Sequence, residues 1–402
     1  MSDLVITDAR LLLPSGAEAG SLTCRGDRIA ALGEETRAGA NSFDAAGAIL
    51  APAIVDLGVF AVDKPACHAG GIARVGLMPD SEMLDSPAPI RFAARSGKPD
   101  LWVHPIAAAT RSLAGKELTE LALMREAGAR AVATGRKWIA DSGTMLRVLQ
   151  SCAALDLTCI VTAEDSGLAG DAVATSGPIA TRFGLSSAPA EAEALAIARD
   201  LMLAEMSGAR VHFRQVTTAR GLELVRRARA DGLDVTAGVS PGYFMLSDLA
   251  IADFRTYARL SPPLRSEDDR QAVREAIADG TISVVCSSHD PLGSEDKRLP
   301  FADASPGMAG ARTLLPLTLS LVRDRVIDLP RAFDLLAAEP ARLLGLETGQ
   351  LAEGYAADLV LVDPEKPWIV NAQDGTDTNT PFDRQGVEGR ALALFKGGKR
   401  IA

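Results

Sequence analysis

From residue 52 onward, apolar residues gather in short β-rich runs separated by longer stretches in which they recur every three or four positions. Eight such runs stand out: 54–60, 72–78, 101–106, 129–134, 158–163, 210–216, 234–239 and 282–286. Short apolar runs alternating with amphipathic helices predict βα units, and eight of them predict an α/β protein of the (β/α)8 TIM-like barrel class. The intervening helices carry their own punctuation. Thr218 is placed to cap a helix whose Leu222, Val225 and Ala228 share a face and which Gly232 stops, and Ser266 stands before the acids Glu267, Asp268 and Asp269, with Gly280 at the far end. The stretch 189–206 reads as one long amphipathic helix. The two ends of the chain differ, with strand-like runs at 4–13, 20–31 and 49 onward, then again at 349–354, 357–363 and 391–401. They predict a small flanking β-sandwich domain built from residues 1–51 and 346–402, the barrel occupying 52–345. The polar segment 374–389 reads as a loop.

Composition narrows the function classes. The 402 residues carry 42 Lys and Arg against 52 Asp and Glu, a net charge of −10, which disfavours nucleic acid or anionic lipid as a partner of the whole surface. Apolar runs such as 314–322 fall short of the roughly 20 residues that span a bilayer, so no membrane association is expected. The beginning of the chain has acids where a secretory signal has Lys or Arg, so a cytoplasmic location is expected. The five cysteines are scattered and odd in number, as expected of reduced, buried thiols. The four histidines, His68, His104, His212 and His289, are isolated, without the spacing that sets two imidazoles on one metal ion.

In a barrel of this class, chemistry sits at the C-terminal ends of the strands and in the loops that follow. That rule selects Asp56, Gly58 and Phe60 after the first run, His104 on the third, Arg136 and Lys137 after the fourth, and Thr162, Glu164 and Asp165 at the fifth. It adds His212, Arg214 and Gln215 on the sixth, Gly242 and Tyr243 after the seventh, and Ser287, Ser288, His289 and Asp290 after the eighth.

An ordered series of motifs resembles the dihydroorotases, cyclic amidohydrolases of pyrimidine biosynthesis. Ala51-Pro-Ala-Ile-Val-Asp-Leu-Gly-Val-Phe60 is similar to their first barrel strand, P-G-(F/I)-I-D-x-H-x-H, and Ser261-Pro-Pro-Leu-Arg265 to their N-P-P-L-R. Val284-Val-Cys-Ser-Ser-His-Asp-Pro-Leu292, with Ser294-Glu-Asp-Lys297, Pro300-Phe301 and Ser305-Pro-Gly-Met-Ala-Gly310, resembles their A-T-D-H-A-P-H, E-E-K, P-F and A-P-x-G-x-x-G series. Ala338-Glu-Pro-Ala-Arg342, 349–354, 357–359 and Asn379-Thr-Pro-Phe382 resemble the ending of that family. The resemblance spans nearly the whole chain.

It implies a barrel mouth holding zinc, which activates a water to hydrolyse a ring amide. Residue by residue, however, the ligand positions are occupied by Gly58 and Phe60 on the first strand, by the Arg136 and Lys137 segment after the fourth, and by Thr162, Gln215 and Ser288. Val62 stands where an arginine is implied for the substrate carboxylate. None of these side chains supplies the donors that zinc needs, so no cofactor is expected. The leading expectation is a catalytically inactive dihydroorotase-like protein that acts as a structural partner of aspartate carbamoyltransferase, or as a homo-oligomer, as the resemblance implies. The alternative is a hydrolase acting on a cyclic amide or another anionic small molecule through a metal-poor site. His289 and Asp290 are then the acid/base candidates, against the plainer reading of a hydrogen-bonded loop pair, and Arg136, Lys137 and Arg214 are the substrate-binding candidates. Arg136 or Lys137 is expected to pair with Glu164 or Asp165 and fill the space of the metal. Cys286, His212, His104, Arg265 and Lys297 are read as structural, and Cys67-His68 is given no role.

Overall fold

The eight apolar runs become eight parallel strands: β1 (Ile54–Val59), β2 (Ile72–Leu77), β3 (Trp102–Ala108), β4 (Ala131–Ala133), β5 (Thr158–Val161), β6 (Val211–Phe213), β7 (Val235–Val239) and β8 (Ile282–Val285). This computed structural model describes residues 3–33, 41–80, 83–372 and 379–402. Each strand is hydrogen-bonded to the next in chain order, so the sheet is a (β/α)8 barrel. Nearly every strand residue is buried, as a parallel sheet covered on both faces requires, which explains why these runs are continuously apolar instead of alternating.

No ladder joins β8 to β1. Closure is made by the Phe60 N–H donating to the His289 carbonyl at 2.8 Å and by Asp56, whose Oδ1 accepts from the Ser287 N–H at 2.8 Å and whose Oδ2 accepts from the Ser287 hydroxyl. Burial pushes the Asp56 carboxyl above its ordinary range, against the opposing pull of those two hydrogen bonds and of nearby His289. Asp56 is thus a closing clasp of the barrel.

Helix signals in the sequence correspond to real caps. The Thr218 side chain accepts from the Gly221 N–H ahead of the helix Ala219–Ala230, and Ser266 from the Asp269 N–H ahead of Glu267–Ala278. The long helix is Glu191–Ser207, and its buried face contains two acids, Glu193 and Asp200, among Ala196, Ile197, Leu201 and Ala204. A second sheet of eight strands joins both ends of the chain, from Leu4–Leu13 through Ile49–Pro52 to Leu359–Ile369 and Gly386–Lys396, and packs its own cluster of Ile6, Leu22, Leu50, Leu359 and Phe395. The polar loop read at 374–389 is shorter than expected: strand begins at Gly386, because Val387 and Trp368 pair across the sheet. Residues 374–378 of that loop lie outside the described residues.

Asp200 yields a pH prediction. Burial raises its carboxyl from 3.8 to about 6, with Arg199 and the Trp138 indole pulling the other way. A carboxyl whose folded-state value lies above its unfolded value binds more protons when folded, so stability falls as pH rises between about 4 and about 6 and is flat above. Asp200→Asn should therefore flatten the decline of unfolding free energy across that window. Parallel wild-type and variant curves from pH 4 to 6 would overturn this assignment.

Candidate functional site: the barrel mouth

The segment after β4 is fixed before it reaches the mouth. The Thr162 hydroxyl donates to the Gly135 carbonyl at 2.7 Å, and the Trp138 indole donates to Asp200 at 3.0 Å while the Arg199 guanidinium stacks 3.8 Å from the same indole ring. Arg199 also donates to the Ile139 carbonyl at 2.8 Å. Between these anchors Arg136 is directed across the mouth. Its two terminal nitrogens lie 2.8 Å from Asp80 and 2.9 Å from Asp290, and its guanidinium stacks 3.8 Å from the Phe60 ring. Those two carboxylates hold the guanidinium pKa above its ordinary value despite the opposing effect of burial, the largest single influence.

Arg214 approaches from β6. Its guanidinium lies 5.1 Å from the Phe60 ring, and its side chain passes Gly58, where a Cβ would stand 3.9 Å from both Arg214 Cδ and Cys286 Sγ. Gly58 adopts φ +126°, a conformation that favours glycine. Gln215 is held at both ends, donating to Ser288 Oγ at 2.5 Å and accepting from the Ser240 N–H at 2.9 Å. Together with Tyr243, Leu260 and Met308 these groups leave a cavity of about 30 Å³, room for one or two waters.

The structure corrects the expected pairing. Neither Arg136 nor Lys137 reaches Glu164 or Asp165: Arg136 is captured by Asp80 and Asp290, and Lys137 is exposed. Glu164 is instead engaged by Arg265 at 3.3 Å, and Asp165 caps a short helix by accepting from the Leu168 N–H. The physical reason is competition from closer partners. Arg265 is already buried beside Glu164, and Asp80, at the mouth end of β2, stands nearer to Arg136. The sequence reasoning did not select Asp80, although an acid just past the end of a barrel strand is a detectable signal.

His289 and Asp290 are adjacent in sequence but face different partners. His289 is fully buried, its Nδ1 accepting from the Ala311 N–H at 3.3 Å and its Nε2 lying 3.7 Å from Asp63, whereas Asp290 turns to Arg136. The loop-pair reading is corrected accordingly. His212 lies inside the barrel with Nδ1 2.9 Å from the Thr236 hydroxyl, and burial, then Arg214 and Arg342, depress its pKa to about 3. His104 sits near the start of β3 beside Arg74, which is bound to Asp358 of the flanking sheet at 2.6 Å, and burial followed by Arg74 and Arg130 pushes its pKa to about 3. Both imidazoles are neutral at physiological pH. Lys297 donates to the carbonyl oxygens of Ser305, Thr256 and Arg259, and burial lowers its pKa to about 8.

The zinc that the resemblance implies needs three or four N, S or O donors converging on one point. Among the described residues no three His, Cys, Asp or Glu side chains are placed to hold a metal ion. The mouth presents guanidinium, phenyl, amide and hydroxyl groups, and its nearest carboxylates, Asp80 and Asp290, both engage Arg136. The donor set does not fit the ion.

Comparison with known proteins places this geometry in context. Residues 51–220 match the family model described as dihydro-orotase-like. The chain is 36% identical to a dihydroorotase of Syntrophotalea carbinolica over 98% of both sequences, and 37% identical to a dihydroorotase-like protein of Pseudomonas aeruginosa over 96% of both. In fold it is similar to the L-hydantoinase of Arthrobacter aurescens, with a TM-score of 0.88 at 23% identity, covering 100% of this chain and 96% of the other. Relatives at 36% and 37% identity aligned over nearly the whole chain, together with the family model over residues 51–220, make this chain a member of the dihydroorotase-like family.

Proposed function

We propose that this chain is a dihydroorotase-like protein of pyrimidine biosynthesis that does not hydrolyse dihydroorotate and serves as a structural partner of aspartate carbamoyltransferase. The observation that carries the first part is Arg136 lying across the mouth between Asp80 and Asp290 with Phe60 stacked beneath it. Hydrolysis of a ring amide requires an activated water and an acceptor for its proton. The carboxylate lining this cavity, Asp290, is bound to a guanidinium, and side chains leave a space of only about 30 Å³ between them. A scaffold kept over its full length while its mouth is filled with side chains is what selection for a surface would leave. The partner follows from the resemblance to dihydroorotase homologues that assemble with the preceding enzyme of the pathway.

The purified chain incubated with dihydroorotate should give no hydrolysis above the uncatalysed rate, with or without added zinc. It should also co-purify with aspartate carbamoyltransferase from its own cell. Zinc-dependent turnover would overturn the first part of the proposal and absence of the complex the second. A second reading, a metal-poor hydrolase of cyclic amides or other anionic small molecules, is favoured by one observation, the presence of two arginines at the mouth. Turnover of any cyclic amide that is lost in Arg214→Met would select it.

A further inference from the structure

Arg214 is only 4% exposed, yet its Nε has no hydrogen-bond partner, and neither ion pair of the mouth includes it. Burial depresses the pKa of its guanidinium, helped by the like charge of Arg136 and opposed by Cys286, Tyr243 and Asp290. A buried cation without a hydrogen-bonded anion is among the least favourable arrangements in a protein interior. Its neighbours do not relieve it. Phe60 offers a ring at 5.1 Å, the Tyr243 hydroxyl is already donating to the Pro262 carbonyl at 2.7 Å, and Asp290 is held by Arg136.

The side chain lines the small cavity of the mouth, and the other groups there complete a donor set. Ser288 Oγ accepts from Gln215 and lies 3.8 Å from Cys286 Sγ, and Ser240 and Ser261 also line the cavity. Arg136 and Arg214 face two carboxylates, Asp290 and Asp80, but both carboxylates engage Arg136, so Arg214 is the cation at the cavity without an ion-pair partner. We infer that this cavity is a binding site for a small monovalent anion, of halide or formate size, that serves as the counter-ion of Arg214. Its volume of about 30 Å³ suits an ion of that size. The polarity is the reverse of a cation site: the group that needs a partner is a guanidinium, and the ion bound is negative. The site does not depend on whether the chain is catalytic or on its partner.

The test titrates the full-length protein with sodium bromide, and separately with sodium formate, holding ionic strength constant with sodium gluconate, a much bulkier anion. The unfolding midpoint should rise saturably with bromide or formate and stay level in gluconate. Crystals grown in bromide should show an anomalous peak within hydrogen-bond range of the Arg214 guanidinium. Arg214→Met should abolish the anion-dependent rise while remaining folded; should that variant fail to fold, the wild-type titration and the anomalous map decide alone. Identical midpoints in all three salts, water alone at Arg214, a bromide peak without a saturable rise, or a rise that persists in Arg214→Met would each overturn the site.

Discussion

Replacing Glu193 with Ala should destabilise the protein by about 3–5 kcal/mol, the scale for removing one member of a buried ionic cluster. Glu193 is fully buried, yet its carboxylate is thoroughly satisfied. Oε1 accepts from the Thr218 N–H at 2.9 Å and the Thr218 hydroxyl at 2.7 Å, and Oε2 from the Thr217 hydroxyl at 2.5 Å, while the Thr217 N–H at 2.9 Å is shared between the two. Arg265, also buried, lies 3.5 Å away and donates through Nε to Thr217 Oγ1 at 3.0 Å. Truncation strands two buried backbone donors and leaves Arg265 with Glu164 as its one remaining acidic partner in this cluster. Because Thr217 and Thr218 connect β6 to the following helix, the loss should also loosen Arg214 and Gln215. Glu193→Gln should recover part of the stability, since one oxygen remains while its new amide faces N–H groups. Chemical denaturation measures both, and a change below about 1 kcal/mol for the Ala variant would show that the turn does not need this carboxylate.

The second large effect is expected at Arg136. Its removal leaves Asp80 and Asp290 without the cation between them and uncovers the face of Phe60. The loss for Arg136→Ala should be about 2–3 kcal/mol, below the fully buried figure because the side chain is 35% exposed and partly screened by solvent. Arg136→Lys should recover less than half, since an ammonium is a point charge without the planar fork that meets two carboxylates and stacks on a ring. Equal stability of the Lys variant and the wild type in equilibrium denaturation would remove the bridging role assigned to Arg136.

These two sites differ in how visible they are in the chain itself. The eight barrel strands are legible because a strand buried on both faces must be apolar along its whole length, and the runs beginning at Ile54 and Ile282 are apolar enough to be read without a partner. Thr218 and Ser266 are equally local, since a cap is a contact with a residue three positions away. Phe60, Arg136, Arg214, Gln215, Ser288 and Asp290 of the mouth were legible for the same kind of reason, since they end strands or follow them, whereas Asp80 was missed.

Their partners were not. Arg136 lies 56 positions from Asp80 and 154 from Asp290, and which carboxylate captures it depends on distances that exist only once β2, β4 and β8 stand in one barrel. Glu193 was hidden for the opposite reason. On a helix read by its apolar face, an acid at that position looks solvated, and only the packing of Glu191–Ser207 against the turn after β6 reveals a carboxylate surrounded by donors. The barrel, the capped helices and much of the chemical character of the mouth are written locally in the chain, because burial, capping and strand-end position are properties of neighbouring residues. The tertiary structure alone decided which charges meet, which histidines are sealed away and which arginine is left without an anion, because ion pairing is settled by competition among groups that are distant in the chain and close in space.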